Sequence, residues 1–550
     1  MKKILALILV LFVLGSVPVN ISAQSGGKTS KAAAPVKPDF GNIEGITGQQ
    51  MKDYLTFIAS DELEGRDTPS RGLDIAALYI ATQLSRWGVK PAGDNGTYFQ
   101  KIPLGLSKVD AANTKVSLNT QNYTYGEDFL AQPSSGTASG NMVYASHGWV
   151  IKSKNINAYQ GIDVKDKIII VTNTPPKGIT FGDLKGPEGG DWSTAAAYAQ
   201  ANGAKGVIYL STFNFLSNWR LNHRNQTEKG QLSFGSDGGQ AKIPMVSISP
   251  RILNALFQGE KMSGQALYAR MLANEPVDGF DLNPNKKISL SVAYKNQTIY
   301  TQNVVGIFEG SDPVLKNEYI GVGAHYDHDG IKDPINGDAI WNGADDDGSG
   351  TVAVMAMAEA FAKGTQRPKR SILFVGHAAE EKGLWGSECF ANNPTVPINS
   401  IATMLNIDMI GRSQVPGDEN HPVNKGMKKP DEVFVVGSKM MSTELGELSE
   451  SINKSFLNMK FNYRYDDPND PERLFFRSDH FNYALKGIPI IFYTDGEHVD
   501  YHQPTDSIEK IDFAGMEKIT RTIFALGWDL ANRPARVKVD KPLPKEFGGN

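Results

Sequence analysis

The chain has 550 residues, 40% of them hydrophobic and 21% charged, with a formal net charge of -4 and one cysteine, Cys389. That length holds two or three domains at roughly 100–200 residues each. The charge leaves no electrostatic case for nucleic acid or an anionic membrane surface, and a lone cysteine excludes an internal disulfide framework and a cysteine-based zinc finger.

Residues 1–23 carry two lysines, an unbroken apolar run and then small and polar residues, which is the build of a secretory signal peptide cut after Ala23. The apolar core is shorter than the ~20 residues a membrane span needs, and no cysteine follows it to carry a lipid. No later segment is apolar enough to cross a bilayer. The expectation is an exported protein, periplasmic or secreted, with no membrane contact after cleavage. Residues 24–40 read as a flexible linker.

Residues 47–89 read as helical. Leu73, Ala76, Ala77, Ile80, Leu84 and Trp87 fall on one stripe, and Gly88 is a C-terminal stop. From 106 to 290 the character changes: polar stretches separate short apolar runs such as KIIIVTN (167–173) and KGVIYLS (205–211), with an alanine-rich helix between them. This predicts a separate, strand-rich module inserted in the chain. From about 295 strand, loop and helix alternate. The strand candidates are 319–324, 371–376, 401–407, 432–437 and 488–493, apolar on both faces as buried α/β strands are, and 350–364 is a helix between the first two. The fold class expected is α/β, a mixed, mostly parallel central sheet flanked by helices. Residues 531–550 are basic, contain proline and read as a loose tail.

Acidic and histidine residues recur just after these strands, where open α/β sheets build their sites. HYDHDG follows the first, and His325 and Asp327 point the same way on extended backbone. That spacing suits a histidine ligand oriented by a carboxylate. GADDDGSG leads into the helix, Glu380 and Glu381 follow the second strand, Asp408 the third, and His498 and His502 the last. Three aspartates in a row are either a solvated turn or a carboxylate aimed at a multivalent cation. Adjacent carboxylates let one ligate a metal while its neighbour takes a proton from bound water, and two histidines with several carboxylates suit zinc.

HYDHDG, GADDDGSG, AAEEKGLWGS, NIDMIG and DYHQPTDS together resemble the five metal-site motifs of the co-catalytic zinc aminopeptidases, clan MH, family 28. The resemblance extends over residues 41–105 and 295–530, within an expected discontinuous peptidase domain of 41–105 and 291–530. It implies two zinc ions per chain, with His325 and Asp408 on one, Glu381 and His502 on the other, and Asp346 bridging them. It also implies Glu380 as general base, Asp327 as the residue orienting His325, and Tyr501 as an oxyanion donor. His328, His377, His480 and His498 are then bystanders. The insert, 106–290, is similar to the protease-associated domain. The activity implied is removal of N-terminal residues from peptides with a free N-terminus. A glutaminyl cyclase, a carboxypeptidase or amidase, and an inactive binding protein are the alternatives on the same fold. The preferred residue and the oligomeric state are not legible.

Overall fold

The computed structural model describes residues 39–541 and 543, apart from 173, 236–241, 276 and 468–469. The expected signal peptide and nearly all of the expected linker fall outside the described residues. Among the described residues, no helix is long and apolar enough to cross a membrane.

The central sheet is built from β1 (Phe99–Val109), β2 (Gln231–Phe234), β3 (Tyr294–Phe308), β4 (Tyr319–His325), β5 (Ser371–His377), β6 (Ile401–Ile407), β7 (Glu432–Val436), β8 (Lys460–Asn462) and β9 (Ile490–Thr494). Their spatial order is β2-β1-β3-β5-β4-β6-β9-β7-β8. The four strands β5, β4, β6 and β9 pair in parallel. Antiparallel pairs flank them, β3 with β5 on one side and β9 with β7 on the other. The expected strands all form, and the parallel character is concentrated at the centre, where β4 and β6 are buried almost throughout. Parallel strands covered on both faces must be apolar at every position, which is why they read as unbroken runs.

Helices α1 (Gly48–Ile58), α2 (Arg71–Arg86), α3 (Gly348–Lys363), α4 (Trp385–Asn392) and α5 (Phe513–Asn532) complete the layers. Thr47 and Gln50 close a capping box on α1, and Ser70 caps α2. The predicted α2 stripe is the buried one, with Trp87 at its end half-buried and Gly88 left-handed at φ +78°. Helix α3 is buried all round, from Gly348 to Phe361. It packs on α1, α5 and the central strands, and each fully buried Val, Met or Phe there stabilises the fold by ~1.5–3 kcal/mol. That burial fixes the N-terminus of α3, where the aspartate turn sits.

The insert has its own cores, made of residues between Val109 and Tyr294. One of its sheets has six strands, with a parallel centre over Met142–Tyr144, Ile168–Val171, Gly206–Leu210 and Met245–Ile248. A second is four-stranded and antiparallel. One strand leaves the insert: β2 adds to the edge of the central sheet, pairing Leu232 with Leu106. Of the expected loose tail, 531–550, only residues up to 541 and residue 543 are described; within that stretch Arg536 pairs with Glu318 at 3.0 Å and Val537 is buried.

Candidate metal centre

Five segments converge at the carboxyl ends of the parallel strands. His325 is the last residue of β4, and Asp408 follows β6 directly. Glu380 and Glu381 follow β5, the aspartate turn precedes α3, and His502 lies in the loop after β9.

The three aspartates have three different jobs. Asp347 caps α3 through Gly350 N–H at 2.8 Å and accepts from Met409 N–H at 3.1 Å. Asp345 accepts from Gly411 N–H at 2.7 Å and faces His498 Nε2 at 3.0 Å. Asp346 alone is aimed inward: Oδ1 lies 3.3 Å from His325 Nε2 and Oδ2 lies 3.0 Å from His502 Nε2. Of the glycines around the turn, Gly343 takes a left-handed φ of +54°. Gly348 and Gly350 are needed for close packing instead: a Cβ on Gly350 would meet Ile407 O at 2.6 Å and one on Gly348 would meet Leu55 at 2.7 Å.

Two donor sets share Asp346. In the first, His325 Nε2 is also 3.6 Å from Asp408 Oδ1 and 3.9 Å from Glu380 Oε2. In the second, His502 Nε2 is 3.2 Å from Glu381 Oε2. Ligands at ~2.0–2.2 Å from one tetrahedral zinc lie about 3.3 Å from each other, so these spacings suit the ion. The donors are also unsatisfied by the protein: His325 Nε2, His502 Nε2 and Asp346 Oδ2 are buried without a hydrogen-bond partner. Neutral and anionic groups left this way are costly unless a cation completes them. The residues present therefore fit two zinc ions.

The electrostatics agree. Burial pushes the Glu380 carboxyl well above the usual carboxylate range, with Glu381 and Asp408 alongside, against the lowering effect of His325. Burial also acts on Asp346, but the facing His325 and His502 rings hold it well below that range. Burial raises the Tyr501 hydroxyl, with Asp346 and Glu381 adding to it, so the phenol stays protonated and able to donate.

Asp327 sits differently from the expectation. His325 Nδ1 is 3.2 Å from the Asp327 main-chain carbonyl and 3.7 Å from its carboxylate. The carboxylate accepts from Glu380 N–H at 3.1 Å and from the Thr68 hydroxyl at 3.0 Å. It thus ties the Glu380 segment to His325 rather than contacting the ring alone. Among the bystander histidines, His377 pairs with Asp479 at 3.2 Å and with the Tyr483 hydroxyl at 2.9 Å, and His480 Nε2 bonds Phe475 O at 2.8 Å. His328 does not belong with them: its Nδ1 is 3.0 Å from Glu381 Oε1.

Two supporting residues carry no legible signal in the sequence. Arg66 is fully buried. It follows a left-handed Glu64–Gly65 turn and donates to the carbonyls of Tyr326, Asn342 and Gly343 at 2.9, 2.7 and 2.9 Å, and to Ile58. It pins the loops on both sides of the site, and burial pulls its guanidinium down to about 10. Asp506 holds the aspartate turn from behind. Asp506 lies in the DYHQPTDS motif and Arg66 in the 41–105 stretch, but a charged residue in a polar segment reads as solvent-facing until the tertiary contacts are known.

Beside the donors lies an open pocket lined in part by Asp346, Glu380 and Asp408. Its wall is Met409, Leu474, Phe492 and Thr494, and its polar rim is Arg477, Glu497 and Tyr501. Arg477 pairs with Glu497 at 2.6 Å and donates to the Tyr501 hydroxyl at 3.5 Å.

Residues 303–527 match the family model described as Peptidase family M28. This segment contains every donor above and leaves out the insert. A "Probable zinc metalloprotease" of Pyricularia oryzae is 28% identical over 310 residues, 51% of this chain and 58% of that protein. A "Probable leucine aminopeptidase" of Trichophyton verrucosum is 25% identical over 230 residues, 40% of this chain and 56% of that protein. The chain spans little more than half the length of these curated relatives. The solved structure of an aminopeptidase from Aneurinibacillus sp. strain AM-1 shares the fold, with a TM-score of 0.51 and 18% identity over 91% of this chain and 98% of that one.

Proposed function

We propose that the protein is a two-zinc aminopeptidase acting on peptides with a free N-terminus, a reading supported by the match of residues 303–527 to the model of peptidase family M28. The observation that carries this reading is the division of Asp346, with one oxygen on His325 at 3.3 Å and the other on His502 at 3.0 Å. A carboxylate shared between two histidine–carboxylate sets is what a two-cation site requires.

His325, Asp408 and Asp346 would hold one zinc, and Glu381, His502 and Asp346 the other. Bound there, zinc supplies Lewis acidity, polarising a water and the scissile carbonyl. Glu380 stands at the edge of the first set, where its carboxylate takes the water's proton and passes it to the leaving amine. Tyr501 lines the same pocket, and its retained O–H donates a hydrogen bond to the carbonyl oxygen as negative charge builds there. The free α-amine would bind beside one zinc and the acidic side chains of this pocket, which would account for action at the chain end. Met409, Leu474 and Phe492 give the first side chain an apolar wall, so large apolar N-terminal residues are favoured.

The insert is read as a protease-associated domain that shapes the cleft. Supporting this, its Phe234 stacks on Trp385, just beyond the Glu380–Glu381 pair, with centroids 6.1 Å apart. Its Arg224 also lies 3.8 Å from Asp333. Export by the 1–23 segment belongs to the same reading.

The test is hydrolysis of paired peptides, one free and one acetylated at the N-terminus, before and after chelation and zinc return. Release of the first residue from the free peptide only, lost on chelation and restored by zinc, is expected. Cleavage of the acetylated peptide would overturn the end specificity, and full rate after chelation would overturn the zinc mechanism.

A further inference from the structure

The loop after β4 reaches past the first histidine to the opposite donor set. His328 N–H is held by Arg66 O at 3.1 Å. Its ring packs closely on the aspartate turn: a Cβ on Gly343 would come within 2.5 Å of two His328 ring atoms. From this fixed position Nδ1 meets Glu381 Oε1 at 3.0 Å, while Glu381 Oε2 is turned to His502 Nε2 at 3.2 Å. The next residue supports the other ligand, with Asp329 Oδ2 lying 3.5 Å from His502 Nδ1. Consecutive residues thus stand behind Glu381 and His502, the two unshared members of the second set.

His328 Nδ1 is also 3.8 Å from Asp346 Oδ2, so the ring itself is a rival ligand. The far nitrogen decides between the roles. His328 Nε2 is buried and has no hydrogen-bond partner. Ligation through Nδ1 would place the ring proton on Nε2, as a buried donor without an acceptor, which proteins rarely tolerate. Donation from Nδ1 leaves only a bare lone pair there. Ligating carboxylates are in turn commonly held by hydrogen bonds of this kind.

We propose that His328 is a positioning residue for the second zinc, its Nδ1–H holding Glu381 so that Oε2 faces His502. This rests on the two-zinc reading. The first set contains no partner of His328 other than the shared Asp346, so the effect of losing it is confined to one ion.

The experiment is competitive zinc titration of the full-length purified protein against a chelator, with the visible spectrum of the cobalt-loaded form recorded in parallel. Wild type is expected to take two equivalents. His328→Ala should bind the first as wild type does, which also shows that it is folded, and bind the second ~10–100-fold more weakly. His328→Asn, whose amide nitrogen reaches the Nδ1 position, should recover most of that affinity with the wild-type cobalt spectrum. Unchanged second-site affinity in His328→Ala overturns the proposal. So does a spectrum altered alike in both variants, because that marks a lost ligand. A wild-type protein that takes only one equivalent overturns the two-zinc reading and this inference with it, an outcome distinct from the other two.

Discussion

The carboxylate of Asp506 receives the backbone N–H groups of Asp345, at 3.1 and 3.0 Å, and of Asp346, at 3.1 Å. These amides precede α3 and have no helical partner, so one buried side chain satisfies the turn that aims Asp346. Removing it leaves two buried donors unpaired, at ~1–3 kcal/mol each. Asp506→Ala should therefore lose roughly 2–6 kcal/mol of stability and bind zinc more weakly, with Asp506→Asn between it and wild type. Urea unfolding and metal analysis measure both, and wild-type behaviour of the alanine variant would show that the turn is held by something else.

Glu380 approaches only the edge of the first donor set, 3.9 Å from His325 Nε2, and is given a proton-transfer role rather than a ligand role. Glu380→Gln keeps the shape and removes the base. Turnover should fall by ~10²–10⁴-fold while two zinc ions remain bound. Loss of zinc together with activity would instead identify Glu380 as a ligand.

The central strands and the order of the acidic groups after them were legible because both follow from local chemistry. A strand buried on both faces is apolar throughout, and a site at its carboxyl end places His325, Glu381 and Asp408 directly after the run. What escaped depends on long-range contact. Arg66 reads as a surface arginine, yet its guanidinium satisfies carbonyls some 260–277 positions away. His328 and His498 carry the same residue type as the proposed ligands, and only packing shows that one faces Glu381 and the other Asp345. Strand β2 is four residues without marked alternation, and it joins the central sheet by pairing with positions far back in the chain.

Leu474 lines the pocket opposite the donors and is otherwise buried. Leu474→Phe shortens the space available to the first side chain. A change of this size in an apolar pocket is worth ~1–3 kcal/mol, or ~10–200-fold. The kcat/KM for substrates beginning with Leu or Phe should fall by at least about tenfold, while that for Ala-initiated substrates changes little. Equal losses on both would place the substrate side chain elsewhere.

His480 gives a stability signature separate from catalysis. It is fully buried, stacks on Phe492 with centroids 4.6 Å apart, and bonds Phe475 O at 2.8 Å, which requires the Nε2 proton. Burial lowers its imidazolium to about 4, from about 6.5 in an unfolded chain. The folded state therefore favours the neutral ring. This residue's contribution is fully present above pH ~6.5 and is lost as the pH falls toward 4, at up to ~1.4 kcal/mol per pH unit. His480→Gln keeps a donor for Phe475 O but does not titrate. Denaturant unfolding of both proteins from pH 7 to 4.5 should show the wild-type stability falling relative to the variant. A difference that stays constant over that range would mean that the ring is charged in the folded protein or reached by water.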